Sequence, residues 1–431
     1  MEILLYVSIG VIAFATILFL IAYRRRIAWW FTCRKPQKRT EYNQNNRLAV
    51  VIPARNEGKT VLPLIESLKN QNYNRDNFDV HIVVKEEDDP TIDMVKEIMP
   101  EAYFYVDKEQ KTKGHALDYC MKDIVKNKDG EYEAFIIIDA DCYVDPNFLS
   151  EMNNALGSGK DVYNSKLVVK NYLNKGRKSN SWSTRCNGLI WTLMSELGNR
   201  AKSDRGITTM VLGTGLMIRS YLVKEWNGWP YQQTLTEDIE LQRSCALNHY
   251  STEYVSFAVC YVEESTSLRM TNVRRQRWMS GVVHCDRIYD RLLKENMKTK
   301  EDKLNFYSFH CLYYVYWYIG FLCIATIYSL ILAIVLNCLN NPFMVWFYTL
   351  AGCSFGLIYL AMFAMTIRCM IVDRKYMKMY FLMRIFICLT HPFYYMGYIG
   401  IMIKCFTLKQ KVDWKVIKRV NFKEKVSIKA K

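Results

Sequence analysis

The sequence lacks the cysteine spacings on which disulfide frameworks and zinc sites are usually built. None of its 14 cysteines forms a Cys-x-x-Cys pair, and none clusters with histidine at the spacing of zinc ligands. Many of them, including Cys311, Cys323, Cys353 and Cys388, lie in apolar stretches. This usage is typical of small core or lipid-facing residues in a reducing compartment. Repeats and low-complexity tracts are also absent from the sequence.

Charged side chains are absent from residues 3–23, the first long apolar stretch. A helix of ~20 such residues is long enough to cross a hydrocarbon core. Arg24, Arg25 and Arg26 follow the stretch, whereas a cleaved signal peptide would place its basic region before it. The positive-inside rule therefore predicts an uncleaved anchor whose C-terminal end lies in the cytoplasm.

The formal net charge of +16 would suit a protein that binds nucleic acid, but the basic residues do not form one basic domain. Lysine and arginine concentrate beside apolar segments, at 24–38 and at 404–431. Anionic lipid headgroups explain basic clusters in such positions. We therefore expect membrane lipids as partners and no nucleic acid, and the oligomeric state stays unknown.

Short apolar runs rich in β-branched residues alternate with helical patterns in the first third of the chain. Strands are predicted at 48–53, 80–84, 102–106 and 134–138. This alternation indicates a doubly wound, mostly parallel α/β sheet, in which ligands bind at the carboxyl ends of the strands. Two acidic clusters, Glu87-Asp88-Asp89 and Asp139-Ala140-Asp141, follow such strands.

The last third of the chain is apolar and predicts further α-helical transmembrane segments. Residues 309–336 and 343–367 read as a hairpin of two spans. The stretch 376–406 is interrupted by His391-Pro392, so it either spans or forms an interfacial or re-entrant segment. A fourth span would carry the ten basic residues of 404–431 outside, against the positive-inside rule. We therefore predict three spans and leave the last segment open.

These patterns divide the chain into six parts. They are an anchor (1–23), a basic linker (24–47), an α/β domain (48–281), an amphipathic segment (282–308), membrane helices (309–406) and a basic tail (407–431).

Three groups of residues carry the chemistry. Asp139 and Asp141 offer hard oxygen ligands for Mg²⁺ or Mn²⁺. Asp238 opens a predicted helix among aromatic residues that would shield it, which suits a general base, although an N-terminal helix cap is the ordinary alternative. Arg274, Arg275 and Arg277 with Trp278 suit a diphosphate beside a sugar ring, and a basic patch next to the membrane is the alternative.

An ordered set of motifs resembles family 2 glycosyltransferases. The motifs are VVIPARNE (50–57), EEDD (86–89), KGHAL (113–117), DAD (139–141), GTG (213–215), NGWP (227–230), TED (236–238) and RRQRW (274–278). They are most similar to the membrane-integrated group of cellulose, chitin and hyaluronan synthases. The resemblance implies a GT-A fold, an inverting reaction and a UDP-sugar donor. It also implies a multi-pass protein of the plasma membrane with a cytoplasmic catalytic domain.

The resemblance assigns a role to each motif residue. The residues that would contact the donor are Ala54, Asn56, Glu57, Asp88, Lys113, Asp139 and Arg274. The metal would bind Asp141 and Asp139, and catalysis would involve Asp238, Arg277 and Trp278. The residues that would contact the acceptor are Gly213, Thr214, Gly215, Trp229, Glu237 and Trp278. Two positions depart from the family pattern. Polymerising members usually have Gln where Arg274 stands, and EEDD leaves the choice between Asp88 and Asp89 open.

Three functions are consistent with the sequence. The first is elongation of a polysaccharide from a UDP-sugar, coupled to export, and it is the one we favour from the motifs. The second is transfer of one sugar to a lipid acceptor, which uses the same catalytic residues. The third is a membrane protein that keeps the fold only as a binding module, and the full set of carboxylates argues against it.

Overall fold

One mixed sheet organises the middle of the chain. The computed structural model describes residues 1–32, 36–42, 44–128, 130–170 and 181–407, and the strands within these ranges form a sheet of eight. The strands are β1 (Leu48–Pro53), β2 (Phe78–Val84), β3 (Tyr103–Val106), β4 (Ala134–Ile137), β5 (Tyr143–Val144), β6 (Val162–Val169), β7 (Leu216–Arg219) and β8 (Thr252–Val262).

The sheet has a parallel half and a mixed half. Its order is β3-β2-β1-β4-β7-β6-β8-β5, and the first four strands are parallel. β7 runs antiparallel to both β4 and β6, while β6 and β8 are parallel. The apolar run of β1 is buried because neighbouring strands and helices cover both of its faces. The predicted α/β fold with transmembrane helices is confirmed, with a larger antiparallel component than the sequence indicated.

Helices cover the sheet and continue into the apolar region. They are α1 (Glu2–Thr32), α2 (Leu62–Lys69), α3 (Pro90–Lys96), α4 (Lys113–Asn127), α5 (Phe148–Leu156), α6 (Trp182–Thr192), α7 (Arg200–Ser203), α8 (Ser220–Glu225), α9 (Glu237–Leu247), α10 (Leu268–Glu295), α11 (Lys300–Cys338), α12 (Met344–Val372) and α13 (Phe381–Thr407). A π-helical turn at Leu193–Asn199 joins α6 to α7.

Two helices extend past the domain boundaries that composition suggests. α1 continues beyond residue 23 to Thr32, and α10 runs across the expected limit at residue 281. A change from apolar to charged residues alters the surroundings of a helix without breaking its backbone hydrogen bonds. The predicted basic tail, apart from residue 407, lies outside the described residues, as do 33–35 and 43 of the basic linker.

Four of the described helices are long and apolar enough to cross a membrane. The segments are Glu2–Trp29, Val315–Cys338, Met344–Val372 and Phe381–Phe406. α1 packs against the α11–α12 hairpin, where Leu5 meets Ala333 and Phe347. α13 is one continuous helix although it contains Pro392, so the break expected at that position does not interrupt it.

A buried ion cluster connects the α/β domain to the end of α12. Lys166 Nζ of β6 lies 2.9 Å from Glu196 Oε2 in the π-helical turn and also pairs with Asp373, which follows α12. Thr192 Oγ1 donates to Asp373 Oδ2 at 2.6 Å, and Tyr254 donates to Glu196 Oε2 at 2.8 Å. These bonds satisfy the buried carboxylates, as burial of charge requires. The cluster thereby fixes one end of the hairpin on the domain.

We predict that Lys166→Met destabilises the protein by about 3–5 kcal/mol, because it leaves Glu196 and Asp373 as buried carboxylates without their shared cation. The matched control is Lys122→Met, which removes an exposed pair with Asp118 worth about 0–1 kcal/mol. Unfolding of the detergent-solubilised protein measures both changes. Equal loss of stability in the two variants would contradict a structural role for the cluster.

Candidate active site

A cavity of about 1200 Å³ lies at the carboxyl ends of the parallel strands. One end is lined by Lys113, Asp139, Asp141 and Asp238. Asp139 and Asp141 follow β4 and Lys113 comes after β3, and parallel strands present their carboxyl ends on the same edge. Asp238 joins them from the start of α9. The structure therefore places these four predicted residues on one cavity.

The loop after β4 holds Asp139 and Asp141. The Asp139 backbone N donates to Thr214 Oγ1 at 3.0 Å, and Lys170 Nζ donates to the carbonyl of Asp141 at 2.8 Å. Burial raises the pKa of Asp139, the cation of Lys113 opposes this rise, and the nearby charge of Asp141 adds to it. Two acidic side chains are thus held close together at the entrance of the cavity.

Lys113 forms the centre of the charged group. Its Nζ lies 2.6 Å from Asp139 Oδ1 and 3.4 Å from Glu237 Oε1, and it donates to the carbonyl of Gly213 at 2.5 Å. Burial opposes its charge, but the carboxylates of Asp139 and Glu237 raise the pKa of Lys113 above its ordinary value. The cation therefore persists at neutral pH and can meet an anionic ligand.

Asp238 lies in the first turn of α9, and its Oδ1 accepts from its neighbour Ile239 N at 2.9 Å. The N-cap position belongs to Thr236. Burial raises the pKa of Asp238 to about 7, and the adjacent Glu237 contributes to the rise. Gly213 has a left-handed φ of +75°, and a Cβ there would lie 3.1 Å from Asp238 Oδ2. The GTG loop thus leaves room for a carboxylate that changes protonation near neutral pH.

The basic cluster of α10 faces the cavity, whose lining includes Arg274, Arg275, Arg277 and Trp278. Arg275 is buried, and its guanidinium carbon lies 4.0 Å from the Tyr394 ring and 3.9 Å from the Tyr398 ring. Burial lowers the pKa of Arg277, and the nearby charge of Arg274 adds to this effect.

α10 approaches α9 closely at Gly281. A Cβ on Gly281 would lie 2.4 Å from Thr236 Cγ2, so only glycine fits without movement. Thr236 immediately precedes Glu237 and Asp238 on the chain. The close packing therefore brings the basic cluster of α10 to the same cavity as the acidic start of α9.

Glu264 is a member of the site that sequence reasoning missed. It is fully buried and accepts from Asn187 Nδ2 and Trp191 Nε1, each at 2.6 Å, and from Arg274 Nη1 at 3.5 Å. Trp191 in turn packs edge-on against Trp278, with ring centroids 5.7 Å apart. Glu264 therefore orients side chains that line the cavity. Its position after strand β8, like Asp139 after β4, was the available signal.

Four predicted residues lie outside the lining of the cavity. Trp229 is buried in the core, where its Nε1 donates to the carbonyl of Tyr231 at 3.0 Å. A Cβ on Gly215 would lie 1.9 Å from Ser165 Oγ, so this glycine permits close packing within the sheet. Ala54 is buried, and Asp88 is exposed beyond β2. The structure thus does not bring these residues to the cavity.

The neighbouring Asp89 has a structural role. It is the N-cap of α3, where its side chain accepts from Thr91 N at 2.9 Å. It also accepts from the backbone N of Asn56 at 2.8 Å. Asn56 and Glu57 line the cavity, so Asp89 fixes the loop that carries them.

The two carboxylates of the DAD loop fit a divalent cation of the Mg²⁺ type. Such ions commonly take one or two protein carboxylates and complete their shell with substrate phosphates and water. Among the residues that the structure describes, no group of three or more His, Cys, Asp or Glu side chains forms a closed metal site. The donor set therefore suits a metal that arrives with a phosphorylated ligand.

The cavity continues to the membrane helices. Its far end is lined by Arg26 and Trp29 of α1, Tyr316 of α11, and Tyr395 and Tyr398 of α13. Within the described part of the chain, its lining includes no residue of α12 and none of α11 beyond Tyr316. The cavity therefore connects the charged group to the start of the apolar segments.

Comparisons with known proteins identify the fold of this domain. A family model described as glycosyltransferase-like family 2 matches residues 45–281, more than half of the chain. The mannosyltransferase PcManGT of Pyrobaculum calidifontis, solved with GDP-Man and Mn²⁺, aligns with a TM-score of 0.56 at 16% identity and covers 84% of this chain and 98% of its own. S. aureus TarS with UDP-GlcNAc aligns with a TM-score of 0.37 at 14% identity, over 71% of this chain and 90% of its own.

A curated relative matches a shorter part of the sequence. It is the dolichyl N-acetyl-alpha-D-glucosaminyl phosphate 3-beta-D-2,3-diacetamido-2,3-dideoxy-beta-D-glucuronosyltransferase of Methanococcus voltae, 29% identical over 104 residues. The match covers 24% of this chain and 32% of that relative. The chain thus matches about a third of the relative's length.

Proposed function

Because the chain belongs to the glycosyltransferase-like family 2, we propose that its cavity transfers a sugar from a nucleoside diphosphate sugar to a lipid-linked acceptor. The continuous cavity carries this proposal. Its charged end suits a water-soluble diphosphate, and its other end reaches Trp29, Tyr316 and Tyr395 beside the membrane segments. An acceptor carried by a lipid can enter there while the donor enters from water.

The donor half of the proposal depends on the charged residues. Lys113, Arg274 and Arg277 would bind the diphosphate, while Asn56 and Glu57 would contact the nucleoside, which we propose to be uridine. A divalent metal held by Asp139 and Asp141 would supply Lewis-acid stabilisation of the leaving group. The mannosyltransferase solved with GDP-Man and Mn²⁺ supports a nucleotide-sugar donor and a divalent metal.

Asp238 would act as the base. A carboxylate with a pKa of about 7 is suited to accepting a proton from an acceptor hydroxyl at neutral pH. The hydroxyl oxygen forms a bond to the anomeric carbon, the bond from that carbon to the diphosphate breaks, and the proton passes to Asp238. Direct displacement of this kind inverts the anomeric configuration. The need for a base favours a hydroxyl acceptor, such as a sugar already on a lipid, over a free lipid phosphate.

Elongation of an exported polysaccharide is the second candidate function. It uses the same carboxylates, and the resemblance to cellulose, chitin and hyaluronan synthases favours it. The end of the cavity lining at Tyr316 favours the lipid-linked acceptor instead, since export through this chain would require a path between the spans. Arg274, in place of the Gln of polymerising members, also supports a single transfer. In both cases we propose a cytoplasmic catalytic domain, which the Arg24–Arg26 cluster supports, in the plasma membrane, which the family resemblance implies.

We expect purified protein, given Mn²⁺ and a panel of UDP- and GDP-sugars, to release nucleotide only when membrane lipids containing lipid-linked sugars are added. Mass spectrometry of the lipid fraction should show the acceptor increased by one sugar. A lipid fraction stripped of phosphorylated carriers is the control. A long glycan made without added lipid would contradict the proposal and support polysaccharide synthesis.

We predict that Asp238→Asn lowers kcat by about 10²- to 10⁴-fold, the usual contribution of a general base, while binding of the nucleoside diphosphate is retained. The matched control is Asp93→Asn, because Asp93 is exposed in the first turn of α3. In the wild type, kcat/KM should rise with pH and level off above an apparent pKa of about 7, since the base is active only when deprotonated. Undiminished turnover by the Asn variant would remove Asp238 from the mechanism.

A third prediction concerns the metal. Chelation should stop turnover, and Asp141→Asn should weaken binding of Mn²⁺ in the presence of the nucleoside diphosphate, measured by electron paramagnetic resonance. Asp145→Asn is the control, because Asp145 is not part of the cavity lining. Its carboxylate accepts a hydrogen bond from Asn147 N at 3.2 Å. Full activity in a chelator, together with unchanged Mn²⁺ binding by the Asp141 variant, would refute the metal role.

A further inference from the structure

α13 touches the α/β domain along much of its length. Trp182 Nε1 donates to Thr390 Oγ1 at 2.7 Å, and Cys405 Sγ lies 3.3 Å from Ser280 Oγ of α10. Between them, Tyr394 donates to the carbonyl of Ser183 at 3.0 Å. Thr390 and Cys405 are separated by about 22 Å of helix at 1.5 Å per residue. A helix perpendicular to the membrane would lose contact, after one or two turns, with a domain that lies outside the hydrocarbon.

The contacts of α13 with α11 indicate the same orientation of α13, along the membrane surface. The Tyr395 ring stacks on Tyr316 with centroids 5.1 Å apart, and Phe406 packs against Trp317 at 5.8 Å. Tyr316 and Trp317 are neighbours at the start of the apolar segment of α11, which begins at Val315. Tyr395 and Phe406 are about 16 Å apart along their helix, yet they meet the same level of α11. A spanning helix would carry Phe406 towards the other end of α11.

A charged residue of α1 lies at the same depth as these aromatic contacts. The guanidinium carbon of Arg26 lies 5.5 Å from the Tyr395 ring. Arg26 follows the uncharged stretch 3–23, and arginines at the ends of spans lie at the boundary between hydrocarbon and water. The middle of α13 therefore lies where α1 and α11 enter the apolar layer.

The two faces of α13 differ in their surroundings. The outer face forms an exposed apolar stripe that includes Leu382, Phe386, Leu389 and Phe393. Phe393 reaches towards the middle of α12, where its ring lies 5.6 Å from that of Tyr359. The stripe therefore faces the same apolar layer as the exposed sides of α11 and α12.

The inner face of α13 carries the tyrosines that contact α10. Tyr394 and Tyr398 enclose the guanidinium of Arg275, which donates to Asn187 Oδ1 at 2.8 Å. Arg275 and the preceding Arg274 both line the cavity. This face supports the helix that closes the catalytic cavity.

We infer that α13 lies in the plane of the membrane surface, with its apolar stripe in lipid and its tyrosine face under α10. α1, α11 and α12 are then the described helices that cross the membrane, and the chain after α13 stays on the side of the α/β domain. This arrangement puts the ten basic residues of 404–431 on the same side as Arg24–Arg26, in agreement with the positive-inside rule. It also resolves the choice that the sequence left open for 376–406.

Protease cleavage sites in the full-length chain test this topology without requiring turnover. One site is inserted at Gly130, an exposed loop of the α/β domain, a second after Asn340 between α11 and α12, and a third is appended after Lys431. Sealed vesicles are selected in which the Gly130 site is cleaved and the Asn340 site is protected until detergent is added. Cleavage after Lys431 without detergent is the expected result, and protection until lysis would overturn the inference.

A second measurement uses the natural sequence. In sealed vesicles with the α/β domain outward, trypsin should release peptides from the lysine-rich stretch 409–431 before detergent is added. Mass spectrometry identifies the peptides, and peptides from the α/β domain confirm the orientation. Release of the tail peptides only after lysis would show that α13 crosses the membrane.

Discussion

The orientation of the α/β domain on its membrane helices depends on the buried pairing of Lys166 with Glu196 and Asp373. Each charge in this cluster would be costly to bury alone, and together they are stable only if β6, the π-helical turn and the end of α12 meet. With the end of α12 fixed, the start of α11 and the middle of α13 also lie beside the domain. The cavity can therefore extend from the sheet edge to the apolar segments.

A second concentration of charge lies within the cavity itself. Asp139, Glu237 and Asp238 surround Lys113, and Arg277 approaches from α10. Burial raises the pKa of Asp238 to about 7, the adjacent Glu237 adds to the rise, and Lys113 opposes it. Under the proposed function, these internal pairs would be exchanged for contacts with a metal and a diphosphate. Catalytic sites often contain carboxylates with raised pKa values for this reason.

Much of this arrangement could be predicted from the sequence. The strand-end pattern predicted Asp139 and Asp141, because parallel strands gather residues that are distant in sequence at one edge. Asp238 was predicted from its place at a helix start among aromatic residues, and the family resemblance assigned roles to Arg277 and Trp278; all five residues line the cavity. Trp229 was assigned to the acceptor but lies in the core, since an aromatic residue in a turn has the same sequence pattern whether it faces a ligand or the core. The roles of Asp88 and Asp89 likewise depend on which of the two carboxylates caps α3. Glu264 was missed because it follows a strand of the mixed half of the sheet.

The direction of α13 was also beyond the sequence. Its apolar composition is consistent with both a membrane span and a surface helix. Hydropathy depends on which residues are present, and it does not give the orientation of the helix relative to the membrane. The inferred direction rests instead on contacts, since Tyr395 and Phe406 both meet the start of the apolar part of α11. The conflict between a fourth span and the basic tail was the signal that composition alone could offer.

α11 has a consequence for how the protein responds to its bilayer. The helix runs without interruption from Lys300 to Cys338, a length of about 58 Å at 1.5 Å per residue, so about half of it projects beyond the hydrocarbon. In the projecting half, Phe309 packs 4.0 Å from the guanidinium of Arg243, which belongs to the helix that carries Asp238. If the membrane-spanning half of α11 tilts, its projecting half moves with it. Since spans tilt to match bilayer thickness, a tilt of α11 would act through this contact on the helix that carries the proposed base, Asp238.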